Sequence, residues 1–521
     1  MMKKILGLSA MALALFFAQA ANAQAQEPAK DAKPADAKGA DAKANADTPK
    51  EESSVTDHTI KLDGQVISYK ATASTTLLKD AKGEPTALIY STAYTKSDSK
   101  DMSTRPIAFI YNGGPGSASI WLHMGAFGPR RVVTANAAQT PPPPYRMVDN
   151  IGCLLDKADM VFIDPVGTGF SHAVGKAEGK DFWGVDQDAK SLAEFISIYI
   201  SRNNRWNSPK FLIGESYGTF RSAVLGNLLQ SSKGIYINGI VLISSVLDLA
   251  TLQFAPGDDR PYMFFLPSYA AAASYYKMLK EPPSDLKAFL MEVRKFASTE
   301  YAEALMKGSQ LTEAEKIDVA RKLSHYTGLS EDFLVKADLR VSLSQFNAEL
   351  ERNRGLTIGR YDARYSGPTI DLLTERSEYD PSYTAVSGAF TAAFNTYCRE
   401  ELKYSPERTY ETLSGEPGRN WDWKHSNGRN FGGGAANAEV DLAEALLTNS
   451  HLQVEVENGL FDQATPFFAT EYTMDHLAIP ADLRGHIHLN YYDSGHMIYL
   501  HEEDLAKLKA NVASFIENAS K

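Results

Sequence analysis

The chain is expected to fold as an α/β protein with a mostly parallel central sheet, antiparallel strands at its N-terminal side and a helical cap insertion. Three observations predict this. The short, fully apolar runs 106–111, 160–163 and 211–213 are separated by helix-like stretches, of which 184–202 is the clearest. That alternation yields parallel strands buried on both faces. Upstream, the segments 58–62, 65–73 and 86–94 alternate apolar and polar residues, and Asp63-Gly64 between the first two marks a hairpin turn. Beyond a further strand at 239–244, the segments 269–279, 285–296, 312–323 and 343–352 read as successive helices with no strand between them. Sheet character returns at 453–456 and 487–492, and an amphipathic helix over 503–517 closes the chain.

With 521 residues, 44% of them hydrophobic, the chain can bury a large core. The expected division is a core from 55–255 and 386–521, interrupted by the cap at 256–385. Residues 1–23 have the basic start, apolar middle and small-residue end of a secretory signal, with cleavage expected after Ala23 and no cysteine following it to take a lipid. The destination is then periplasmic or secreted. No later apolar run approaches the roughly 20 residues that span a bilayer. Residues 24–54 are rich in Ala, Lys, Asp and Pro and hold no aromatic, which reads as a disordered tether. A net charge of −11 argues against a nucleic-acid partner and against docking on anionic lipid. Cys153 and Cys398 are the two cysteines, and they either pair or stay buried and free. Nothing in the composition specifies an oligomeric state.

The chemistry centres on Gly214-Glu215-Ser216-Tyr217-Gly218, placed between an apolar strand and a helix-like stretch. A sharp strand-to-helix turn lifts such a serine out for attack, and glycines flank it because strand and helix backbones crowd there. A serine hydroxyl needs a base, and the base needs a group that holds its tautomer. Asp462 and His496 meet the order and placement required, each in a loop just past a late strand. Asp493 and His501 are weaker rivals: the first is too near His496 in sequence to come from a separate strand end, the second lies in the helical tail. Asn112-Gly-Gly-Pro-Gly116 follows an early strand and can supply an oxyanion hole, with the N–H groups of Gly114 and Tyr217 as donors. Pro115 and the missing Gly-Lys-Ser/Thr disfavour a phosphate cradle. His486 and His488 share a strand face without a third ligand at recognisable spacing, so no metal and no cofactor is expected. Trp421 and Trp423 read as packing, 431–434 as a loop and the prolines 141–144 as a stiff connector.

Asn112-Gly-Gly-Pro-Gly116, Asp164-Pro-Val-Gly-Thr-Gly-Phe-Ser171, Gly214-Glu-Ser-Tyr217, Asp462 and Gly495-His496-Met497 together resemble the serine carboxypeptidase family, especially its bacterial members, over roughly 100–510. The resemblance implies an α/β-hydrolase fold, peptide substrates, removal of C-terminal residues, and binding of the substrate's terminal carboxylate by Asn112 and Glu215. One departure matters. The family commonly has a second glutamate two residues before Gly128-Pro129, and here that position is Ala126. Without two carboxyl groups sharing protons, an optimum closer to neutral is expected. Arg130 or Arg131 either supplies a direct contact to the carboxylate or is simply solvated. The scarcity of cysteines also departs from disulfide-rich relatives, so packing must hold the cap. An esterase or acyltransferase on the same scaffold, or a periplasmic binding protein without catalysis, remain the alternatives, since fold alone does not choose.

Overall fold

The computed structural model of the protein describes residues 49–425 and 435–521. The expected leader at 1–23, the tether as far as 48 and the glycine stretch at 431–434 lie outside the described residues. β1 (Ser53–Leu62), β2 (Gln65–Lys79) and β3 (Pro85–Lys96) form an antiparallel run. Asp63 and Gly64 join β1 to β2 at φ 47° and 82°, the doubly left-handed turn whose twist matches that of the strands it joins. β1 starts earlier than its pattern predicts and overlaps the expected tether. Ser53 pairs with Ser74, and the Glu52 backbone bonds to Thr75 through both its N–H and its C=O. The long β2 goes on offering unpaired backbone groups, and the polar residues upstream satisfy them whatever their composition.

The remaining strands are β4 (Ile107–Tyr111), the hairpin pair β5 (Arg130–Val132) and β6 (Met147–Asp149), β7 (Asp159–Ile163), β8 (His172–Ala173), β9 (Lys210–Glu215), β10 (Gly239–Ile243), the pair β11 (Leu356–Ile358) and β12 (Ser366–Pro368), β13 (Gln453–Gly459) and β14 (Ile487–Tyr492). The main sheet runs β1-β2-β3-β7-β4-β9-β10-β13-β14, with β8 also paired to β3. From β7 to β14 every pairing is parallel. β4, β7, β9 and β10 are buried along their whole length, because helices cover both faces. On one face lie the helices Val185–Arg202 and Tyr217–Lys233, and on the other the closing helix Glu502–Ala519. The prolines 141–144 lie in the connection between β5 and β6.

Between β10 and β13 the chain is mainly helical, as its pattern predicts, but the bounds shift. The first long helix is Arg260–Tyr275 and carries Pro267 inside it, so the proline does not delay its start. Asp285 caps Leu286–Phe296 by accepting from the N–H groups of Lys287 and Ala288, and Thr312 forms a capping box with Glu315 at the start of Glu313–Thr327. Among the described residues no strand falls between the expected helices; the pair β11 and β12 follows the last of them and is too short for an alternating pattern to register. These helices share an apolar cluster of their own, including Tyr269, Phe296 and Phe346, which also takes in Leu460 and Phe461 from the loop after β13. Cys153 and Cys398 are both buried and free, so packing alone joins the elements that carry them.

Candidate active site

The segments singled out in the sequence converge at the carboxyl ends of parallel strands, where loops can present side chains around one cleft. Asn112 follows β4, Ser216 follows β9, Asp462 follows β13 and His496 follows β14. Ser216 has φ 60° and ψ −131°, a left-handed conformation that a residue with a Cβ rarely adopts. Crowding enforces it: a Cβ on Gly214 would stand 2.2 Å from the carbonyl oxygen of Gly218. The Ser216 N–H donates to the carbonyl of Ile243 at the end of β10 (3.0 Å), which fixes the elbow to the neighbouring strand.

His496 Nδ1 lies 2.8 Å from Asp462 Oδ2, and both side chains are buried. The other oxygen of Asp462 accepts from the N–H groups of Ala464 (2.7 Å) and Thr465 (2.9 Å), so the carboxylate is locked in orientation. The Thr465 hydroxyl is within reach of Asp462 Oδ2 (2.7 Å) and of the Ser244 carbonyl (3.0 Å), while Ser244 Oγ donates to the His496 carbonyl (2.7 Å). The residues just past β10 thus hold the serine elbow, the acid loop and the histidine loop together. Ser216 Oγ and His496 share no hydrogen bond in this structure. Hydrogen bonds between such groups are often long in a ligand-free site and tighten only when a substrate binds. The rivals sit elsewhere, Asp493 exposed and His501 paired with Asp504 (2.9 Å).

The Asn112 loop lies directly on the elbow. A Cβ on Gly113 would meet the backbone nitrogen of Tyr217 at 2.4 Å, and Gly114 adopts φ 101°. Neither the Gly114 nor the Tyr217 N–H is spent on another hydrogen bond among the described residues, which leaves both free as donors. Two braces that sequence reasoning missed hold this loop. Arg221, one turn into the helix after Ser216, donates to the Asn112 carbonyl (2.6 Å) and pairs with buried Asp188 of the neighbouring helix. Asp164 accepts from both the N–H (2.8 Å) and the hydroxyl (2.7 Å) of Ser119, so the Asp164 block supports the segment that follows the Asn112 loop. Burial raises the Asp164 carboxyl to about 6.

Asn112 and Glu215 are joined, Asn112 Nδ2 donating to Glu215 Oε1 (2.8 Å), and both are almost fully buried. The Tyr499 hydroxyl lies beside the same carboxyl. The Tyr499 ring occupies space that Gly125 leaves open, since a Cβ there would stand 2.5 Å from it. Burial raises Glu215 to about 7, with the Asp462 charge adding to the rise and His496, Tyr499 and Asn112 opposing it. For His496, burial works to lower the pKa, but the Asp462 and Glu215 carboxylates outweigh it and the net shift is upward. Ala126 is buried. Arg130 and Arg131 do not face the site: Arg130 pairs with Asp149 and Glu401, and Arg131 with Glu502.

A segment absent from the sequence reasoning, residues 360–364, clamps the histidine loop. The Tyr361 carbonyl accepts the His496 N–H (2.6 Å), and its ring lies 5.1 Å from the imidazole. Buried Asp362 accepts from the Gly495 N–H (3.2 Å) and pairs with Arg364, which donates to the Asp493 carbonyl (2.7 Å). A Cβ at Gly495 would stand 2.5 Å from Tyr361 O, so only glycine fits this close approach. Trp421 and Trp423 pack edge-on against the Tyr217 ring at 5.3 and 5.8 Å. His486 Nδ1 is satisfied by the Leu452 carbonyl (3.1 Å). No group of three or more His, Cys, Asp or Glu is placed to hold a metal among the described residues. Nor is any helix among them long and apolar enough to cross a membrane.

Residues 81–257 match the serine carboxypeptidase family model, a stretch that contains the Asn112 loop, the Asp164 block and the elbow. Over that stretch the chain is similar to serine carboxypeptidases. The pheromone-processing carboxypeptidase KEX1 of Saccharomyces cerevisiae is 30% identical over 202 residues, which are 37% of this chain and 26% of the yeast protein. The chain therefore spans about a quarter of the length of the curated relatives it matches. The crystal structure of KEX1(delta)p, a prohormone-processing carboxypeptidase from the same yeast, superposes with a TM-score of 0.52 at 17% identity, over 86% of this chain and 91% of that one. The shared architecture is the α/β-hydrolase fold, with the parallel sheet and strand-end loops described above.

Proposed function

We propose that the protein is an exported serine-type carboxypeptidase that removes C-terminal residues from peptides through an acyl-enzyme. The observation that carries this reading is the Asp462–His496 hydrogen bond, held by the residues after β10 that also fix the Ser216 elbow. In this mechanism His496 takes the proton of Ser216, whose oxygen attacks the last peptide carbonyl. The oxyanion is met by the Gly114 and Tyr217 N–H groups, and the protonated imidazole then gives its proton to the departing amino acid. Water, deprotonated by the same imidazole, releases the shortened peptide and restores the serine. Asn112 and Glu215 sit beside this centre as the pair that binds the substrate's terminal carboxylate. The segment 256–385 is assigned as the cap that shapes the side-chain pocket. Paired peptides with free and amidated C-termini test the assignment. The free acid should be cleaved at least tenfold more efficiently, and equal rates would turn the reading toward a general esterase or acyltransferase.

The two shifted groups set a pH dependence. His496 must be neutral to act as base, so activity rises with pH through its raised pKa. Glu215 must be protonated to donate to a carboxylate, so affinity falls as pH passes its value of about 7. The Glu215 limb lies near neutrality and the His496 limb is displaced upward, so kcat/KM measured from pH 4 to 9 should peak near neutral pH rather than in the acid range. A peak at pH 4 to 5 would show that Ala126 has not moved the optimum.

A further inference from the structure

A carboxypeptidase needs something to neutralise the terminal carboxylate of its substrate, and the pair available here is poorly suited to do so alone. Glu215 is itself a carboxyl that ionises near neutrality, and Ala126 leaves it without a second acid to share a proton. The arginines considered as substitutes, Arg130 and Arg131, are engaged with acidic residues instead. Another cation stands at the site. Half-buried Arg360 places its guanidinium carbon 5.1 Å from the centroid of the Tyr361 ring, which in turn lies 5.1 Å from the His496 ring. Its guanidinium forms no ion pair with any carboxylate among the described residues, whereas the neighbouring Arg364 is committed to Asp362 and the Asp493 carbonyl.

The backbone around Arg360 is tied to both loops that frame the imidazole. The Arg360 carbonyl accepts from the Gln463 N–H (3.1 Å), next to Asp462, and its own N–H donates to Asp380 (3.2 Å). One residue further, the Tyr361 carbonyl holds the His496 N–H. The charge is thus positioned by the same contacts that position the histidine. A terminal carboxylate lies one residue past the scissile carbonyl, about 3.8 Å along the chain. A long arginine side chain within two ring-to-ring steps of the imidazole can meet it. Planar guanidinium also matches carboxylate geometry through paired N–H donors.

We infer that Arg360 receives the free α-carboxylate of the peptide substrate, supplying the positive charge that the Asn112 and Glu215 pair lacks. This rests on the carboxypeptidase reading above and adds to it a residue that selects for a free C-terminus. The test uses the full chain and matched free-acid and amidated peptides whose last side chain is neutral, so that only the α-carboxylate differs. Arg360→Gln should raise KM for the free acid by about 10- to 100-fold with kcat changed much less, and shrink the free-acid preference by the same factor, as loss of a charge-assisted bond implies. Arg360→Lys should recover part of that preference, since the charge returns without the paired geometry. An unchanged free-acid to amide ratio in Arg360→Gln, or a loss of kcat alone, would overturn the assignment. If the unaltered protein shows no free-acid preference, the carboxypeptidase reading itself fails, whatever the variants do.

Discussion

Replacing Ser216 by alanine is expected to reduce peptide turnover by on the order of 10⁶-fold, with the fold retained. The size of the loss follows from the role assigned: without the hydroxyl there is no acyl-enzyme, and only the oxyanion donors and substrate binding remain to act on water. Retention of the fold follows from the contacts. The side chain of Ser216 holds nothing in place, since the elbow is fixed by its backbone, the N–H donating to Ile243 and the carbonyl accepting from Thr219. Alanine bears the same Cβ at φ 60°, so it neither relieves nor adds to the backbone strain. The measurement is turnover together with covalent labelling by a fluorophosphonate probe and a thermal melt. Loss of label and turnover at an unchanged melting temperature is the expected result. Turnover that survives in the variant removes Ser216 as nucleophile. Failure of the unaltered protein to take the label would favour a binding protein without catalysis.

What the sequence shows of this site is what is encoded locally. The elbow is legible because its chemistry, its two crowding glycines and its flanking strand and helix all lie within one short stretch. Asp462 and His496 are legible as loop residues just past strands, because strand order in a parallel sheet fixes which ends face the cleft. The braces are not. Arg221 and Asp188 lie on two different helices and reach Asn112 only after the helices pack, and nothing in their spacing announces it. Arg130 looks available in sequence because its partner Glu401 is far along the chain. Residues 360–364 follow a run of helices, and only tertiary folding lays them on the histidine loop. Tyr499 reads as an ordinary apolar residue near a helix start. Its place beside Glu215 depends on the absence of a Cβ at Gly125, a fit between distant segments. The same reasoning explains the boundaries: β1 overruns its alternating pattern because β2 supplies partners, a tertiary cause that outweighs composition.

The second large effect is expected at Asp462. Asp462→Asn should lower kcat by about 10³- to 10⁴-fold near neutral pH, even though it changes a single atom. The wild-type carboxylate only accepts: Oδ1 takes the N–H groups of Ala464 and Thr465, and Oδ2 faces His496 Nδ1. An asparagine must turn its one remaining oxygen toward the two backbone donors, because the opposite rotamer would set its NH₂ against both of them. That choice aims the NH₂ at His496 Nδ1, which must then act as acceptor and leave its proton on Nε2. The imidazole is held in the tautomer that cannot take a proton from serine, and the imidazolium loses the charge that stabilises it. The same loss removes the largest influence holding the His496 pKa up, so burial should prevail and the acid limb of the pH profile should move to lower pH. Kinetics across pH, with the melting temperature as control, check both parts. A variant that keeps near-normal kcat and an unshifted acid limb would mean that the buried Asp462–His496 contact is structural, and that the base acts from elsewhere.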